Sequence, residues 1–171
     1  MARTRKSQDT DAITLLKEDH EKVRKLLGEL EETTERAAAK REKLLAAIEQ
    51  ELKIHTRIEE EIFYPAFRDA AGKKDDKELY YEAIEEHHVV DLVLPEIKDT
   101  DVDSDEFGAK AKVLKDLVEH HAEEEETEMF PRARKLMDRE ELLRLGAEMA
   151  SAKEAAMGNG GVMGKISKLV S

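Results

Sequence analysis

The chain has 171 residues, with 29 Lys and Arg against 41 Asp and Glu, a formal charge of −12, 4% aromatics and no cysteine. This length suits one domain that can pack a core without staples, and the acidic balance argues against a nucleic-acid partner, which needs a basic face. The missing cysteines exclude disulfides, thiolate metal sites and thiol nucleophiles together.

No apolar run of roughly 18 residues is present, and the basic start MARTRKSQDTD leads into no apolar segment, so no membrane span or secretory signal is read and a cytoplasmic location is expected. A composition that is 41% charged, rich in Glu, Lys, Ala and Leu, marks long amphipathic helices.

Residues 1–10 read as a disordered leader, with Thr10 or Asp11 as a cap for the first helix. That helix carries Ile13, Leu16, Val23, Leu27 and Leu30 at three-four spacing, with His20 on the same stripe. A second helix carries Leu45, Ile48, Leu52, His55, Glu59 and Ile62 inward and ends near Pro65 and the polar turn AGKKDD. The third carries Tyr80, Ala83, His87, Val90, Leu94 and Ile97, and Pro95, which lacks the N–H that would bond the Asp91 carbonyl, predicts a kink. After DTDVDSDEFG a fourth helix places Leu114, Leu117, His121 and Glu125 inward, with Pro131 matching Pro65. Four such helices joined by short loops make an up-down antiparallel bundle over 11–135, an all-α fold. A further C-terminal helix within 136–157 packs Leu142, Leu143, Leu145 and Met149 on it, and 158–171 reads as a flexible tail.

The bundle is written twice. HTRIEEEIFYP (55–65) returns as HAEEEETEMFP (121–131), and DHEKVRKLL (19–27) aligns with EHHVVDLVL (86–94), so His20 falls on His87 and His55/Glu59 on His121/Glu125. Each hairpin thus contributes one lone histidine and one His-x3-Glu, whose members lie one turn apart on one helix face. All six histidines fall at these places.

A single histidine on an apolar stripe is ordinarily a satisfied core residue. Four at repeat-related positions, two with glutamate one turn on, read instead as a metal site, because burying them unpaired would be costly. Imidazole and carboxylate without sulfur suit iron, manganese or zinc, and carboxylates from facing helices can bridge two ions. The candidate ligands are His20, His55, Glu59, His87, His121 and Glu125. His88 and His120 stand one helical step of about 100° aside and read as supporting or surface groups. Glu124, Glu126 and Glu128 read as a solvated face. Tyr64, Tyr80 and Tyr81 read as packing residues, with Tyr80 on the inward stripe. A ferritin-like site would need two Glu-x-x-His motifs, and only Glu85-x-x-His88 fits.

The pattern His20, His55-x3-Glu59, His87, His121-x3-Glu125, with the phrases EEHHVVDLVL and EHHAEEEETEMFP, resembles the hemerythrin-like, or HHE cation-binding, domain family over about residues 12–135. The resemblance implies a non-haem di-iron centre with an oxo or hydroxo bridge, the four histidines as terminal ligands and the two glutamates as bridges, with zinc or manganese as substitutes. The chain departs from the oxygen carriers of that family at Asp91, where they have a second histidine, and in the spacing on the fourth helix. That departure implies a more open site, or a carboxylate from Asp91 on one iron, and hence reaction with peroxide or NO ahead of reversible O2 carriage. The chain is more similar to the shorter bacterial, actinobacterial relatives, which implies a small oxidant or diatomic gas (H2O2, NO, O2) as partner, a role in oxidative or nitrosative stress and a catalase-like activity. A sensor or carrier without turnover, an iron store and a structural zinc protein are the alternatives; a monomer or dimer is expected.

Overall fold

A computed structural model describes residues 10–167, with side chains as far as Gly158. Residues 1–9 of the expected leader and the last four residues of the expected tail lie outside the described residues. Among the described residues there is no strand, and no helix is long and apolar enough to cross a membrane.

Helix α1 (Ala12–Glu31) starts where Asp11 accepts a hydrogen bond from the Thr14 amide at 2.8 Å, which satisfies one of the free N–H groups of the first turn. Helix α2 (Ala38–Ile58) leads into a π-helical turn, Glu59–Phe63, and then α3 (Tyr64–Ala70). Helix α4 (Lys74–Lys98) runs unbroken through Pro95. Helix α5 (Asp105–Glu124), capped by Ser104, leads into a second π turn, Glu125–Met129, and α6 (Phe130–Leu136). Helix α1 packs on α2 and α5, and α4 on α5, giving the up-down bundle. Helix α7 (Arg139–Ser167) lies against α1 and α2. Its backbone stays helical past residue 158, where the sequence predicts a flexible tail.

The helices do not stop at the prolines as expected. A proline in an α-helix clashes with the carbonyl four residues back and removes an N–H. A π turn, closed from residue i to i+5, relieves this one residue before Pro65 and before Pro131: the Tyr64 amide bonds the Glu59 carbonyl, and the Phe130 amide bonds the Glu125 carbonyl. The wider turn rotates everything after it. Phe63, Tyr64 and Phe67 are therefore the buried residues, and Ile62, read as inward from an unbroken period of 3.6, is only half-buried.

The core falls into two apolar clusters. One gathers Ile13, Leu16, Phe63, Tyr64, Phe67, Phe130 and the buried residues of α7; the other gathers Val23, Leu27, Ile48, Leu94, Phe107 and Leu114. Each of the four stripe histidines sits along its helix between a residue of the first cluster and one of the second: His20 between Leu16 and Val23, His55 between Leu52 and Ile58, His87 between Ala83 and Val90, His121 between Val118 and Met129. A polar layer thus crosses the middle of an apolar bundle.

Candidate metal centre

All six residues read as ligands from the sequence converge in that layer, each no more than 6% exposed. Two positions share the carboxylate of Glu59. At position A, His20, His55, Glu59 and Glu125 each offer one atom; at position B, Glu59, His87 and His121 do so, and within each group the atoms lie within 4.8 Å of one another. Glu59 Oε1 lies 3.0 Å from His55 Nε2 and its Oε2 3.1 Å from His87 Nε2, so one carboxylate faces both positions. Glu125 Oε2 lies 3.1 Å from His20 Nε2 and 3.6 Å from His121 Nε2.

His20 Nε2, His55 Nε2, Glu59 Oε1 and Glu125 Oε2 are buried and make no hydrogen bond. They stand at ion-pair distance yet out of hydrogen-bond alignment, and they are the four atoms of position A. Buried polar groups left unpaired are rare and costly, so this donor set fits a cation.

The outward nitrogens are all engaged. His20 Nδ1 is 2.8 Å from Glu126, His55 Nδ1 3.3 Å from Asp19, His87 Nδ1 2.9 Å from Glu60 and His121 Nδ1 2.5 Å from Glu86. A carboxylate behind an imidazole fixes its tautomer and leaves Nε2 free as a donor to a metal. Glu126 is therefore not part of a solvated face, as its place in the acidic run predicts; it reaches across to α1.

Tyr64 corrects a second expectation. It is fully buried and its hydroxyl enters position B, donating to Glu125 Oε1 at 2.7 Å and standing 3.3 Å from Glu59 Oε2 and from His87 Nε2. Tyr80, the tyrosine expected on the inward stripe, is half-buried and meets Tyr64 edge to face. The π turn explains the place of Tyr64, which is five residues beyond Glu59, off the stripe in an α-helix and on it in a π turn. The repeat held the signal, since Tyr64 aligns with Phe130. Tyr64 stacks on His87 at 5.5 Å and Phe130 on His20 at 5.8 Å, so the two halves differ there by one hydroxyl.

The secondary candidates lie outside. His88 and Asp91 are exposed, and His120, 63% exposed, forms a surface group with Glu86 and Glu124. His88 and His120 point away from the layer because each is next to a layer histidine and adjacent helical residues diverge by about 100°; Asp91, one turn beyond His87, is also exposed.

Without metal the layer is an ion-pair network. Burial works against charge on His55, yet the Glu59 charge and the hydrogen bond to Asp19 push it up to about 10. His121 is likewise raised against its burial, chiefly by Glu125. Burial opposes the ionisation of Glu59, but the His55 charge holds it well below the ordinary carboxylate range. Burial and the Glu125 and Glu59 charges raise the Tyr64 phenol, which keeps its proton.

A helical bundle with a buried, sulfur-free layer of histidines and glutamates defines a cation-binding bundle protein. The model of the Hemerythrin HHE cation binding domain matches residues 11–133, and the chain belongs to that family. The crystal structure of a hemerythrin HHE cation binding domain-containing protein from Mycobacterium kansasii is similar, with a TM-score of 0.76 and 29% identity, over 88% of this chain and 89% of that one. A DNA nickase of Nostoc sp. (strain PCC 7120) is 30% identical over 146 residues, 85% of this chain; the match spans 40% of that relative's length.

Proposed function

We propose that the chain holds two metal ions, one in each position, bridged by Glu59 and Glu125, and that the pair binds or turns over a small oxidant such as H2O2, NO or O2. His20 and His55 serve position A, His87 and His121 position B, and the Tyr64 oxygen stands where it joins position B. The observation that carries this reading is the set of four buried, unpartnered atoms converging on position A. Iron follows from the resemblance; the N and O donors also suit manganese and zinc.

When bound, the metals supply a Lewis-acid and redox centre. The chain supplies the rest. Bridging carboxylates offset cation charge in a dry layer. A cavity with about 20 Å³ of room for a water-sized molecule opens on the four histidines, lined otherwise by Val23, Leu52, Thr56, Val90, Val118 and Ala122. That is space for one diatomic or water-sized ligand. Tyr64 keeps a proton at Oη, aimed at Glu125.

Peroxide added to iron-loaded protein tests the reading: O2 evolution is expected, and spectral change without turnover would instead support a sensor or carrier. One feature favours that second reading: Lys153 of α7 reaches Asp19 behind His55, so an element outside the bundle touches the site. The nicking activity in the Nostoc relative's name does not carry over, since the match spans 40% of that relative and a net charge of −12 disfavours a phosphate backbone; supercoiled plasmid should stay intact with this chain.

A further inference from the structure

The inner atoms and the carboxylates behind them obey the repeat, but the charges behind those carboxylates do not. Aligning the halves places Asp19 on Glu86 and Glu60 on Glu126. Asp19 and Glu126 back the histidines of position A; Glu86 and Glu60 back those of position B.

Behind position A both carboxylates carry a fixed cation. Arg24 Nη1 is 2.8 Å from the Glu126 oxygen that accepts from His20, and Lys153 Nζ pairs with Asp19. Behind position B, among the described residues, neither Glu60 nor Glu86 pairs with any lysine or arginine; Glu86 meets His121, the exposed His120 and the acidic Glu124. The alignment that places Glu21 on His88 places Arg24 on Asp91, so the second half carries an acid where the first carries the neutralising base. Lys153 comes from α7, which has no counterpart in the repeat.

We infer that this outer shell makes the two metal positions unequal: Arg24 and Lys153 make position A the more easily reduced one, while the uncompensated Glu60 and Glu86 make position B hold the higher-charged ion. The physical ground is that negative charge near a metal stabilises its more positive state, and that a low-dielectric interior screens such charges weakly. The four outer residues are positioning groups: they touch imidazoles or carboxylates and not the reacting atoms. The inference rests on the dinuclear reading above.

Potentiometric titration of the full chain loaded with iron, after counting metal per chain, tests it. Two one-electron steps are expected. Lys153→Met keeps the aliphatic stem and removes the charge, and should lower the first step; Arg24→Met should do the same. Glu60→Gln and Glu86→Gln can still accept from the imidazoles and should raise the second step. Asp91→Arg, at an exposed place, should raise it as well by offering Glu60 the missing cation. Each affected step should move by a tenfold change in its reduction constant or more, about 59 mV for one electron, and Lys153→Arg should restore the wild-type value. Every charge variant therefore narrows the gap between the steps. With two irons bound, steps that move together, or that do not move, would overturn the inference and leave the dinuclear centre standing. Fewer than two metals in the wild-type chain would overturn both.

Discussion

Each histidine of the layer turns Nε2 inward and meets a carboxylate at Nδ1, so four separate contacts hold four donors in one orientation. Removing a bridge should be far worse than removing a neighbour. Glu59→Ala or Glu125→Ala should leave fewer than two metals per chain by elemental analysis, whereas His88→Ala, at an exposed position, should keep both. Tyr64→Phe makes position B match position A, where Phe130 stands; it should bind both metals and lose any visible absorption that arises from phenol coordination. Titration gives a third expectation. The His55 pKa is raised from 6.5 to about 10 in the metal-free fold, so its contribution to stability is full below pH 6.5 and lost as pH rises through about 10. Glu59 is lowered from 4.5, so its contribution is full above that value and lost on acidification. The melting temperature of metal-free protein should therefore fall on both sides of that window. Metal uptake should run the other way, strengthening from pH 6.5 towards 10 and releasing protons, because imidazolium must deprotonate to ligate. Calorimetry in two buffers of different ionisation enthalpy would count those protons.

At the scale of elements, the four stripes were legible because residues at three-four spacing on an amphipathic helix share one face. His20, His55, His87 and His121 all lie where that spacing puts them. What the period hid was its own interruption. A π turn before Pro65 and another before Pro131 each add a residue to the helix, and an extrapolation at 3.6 residues per turn picks Ile62 and passes over Tyr64. The outer carboxylates were hidden for another reason: Glu126 and Glu60 sit in acidic runs, and their partners, His20 and His87, are on other helices. Only packing shows which glutamate of a run turns inward. The same holds for Arg41, a buried residue of α2 that donates to the carbonyls of Thr33, Val102 and Ser104 and clasps the two loops at the far end of the bundle. Arg41→Met should cost about 2 kcal/mol in chemical denaturation, since it leaves those carbonyls unpaired.

Across the whole molecule the apolar clusters flank the polar layer, so the bundle stands on its two ends and the site is its least apolar section. Helix α7 is joined to this design through the buried Leu142, Leu145 and Met149 and at two further points. Gly146 lets it approach the start of α1, where a Cβ would stand 2.8 Å from Ala12 N, and Lys153 reaches Asp19. Gly146→Ala should lift that contact and lower the melting temperature with the metal count unchanged. The central claim, two metals held by six histidine and glutamate side chains in one layer, is tested most directly by metal content per chain in protein purified from iron-supplemented cells, set beside that of Glu59→Ala. Two ions per wild-type chain, and fewer than two in the variant, is the expected result. One ion or none in the wild type, or the same content in both, would contradict it.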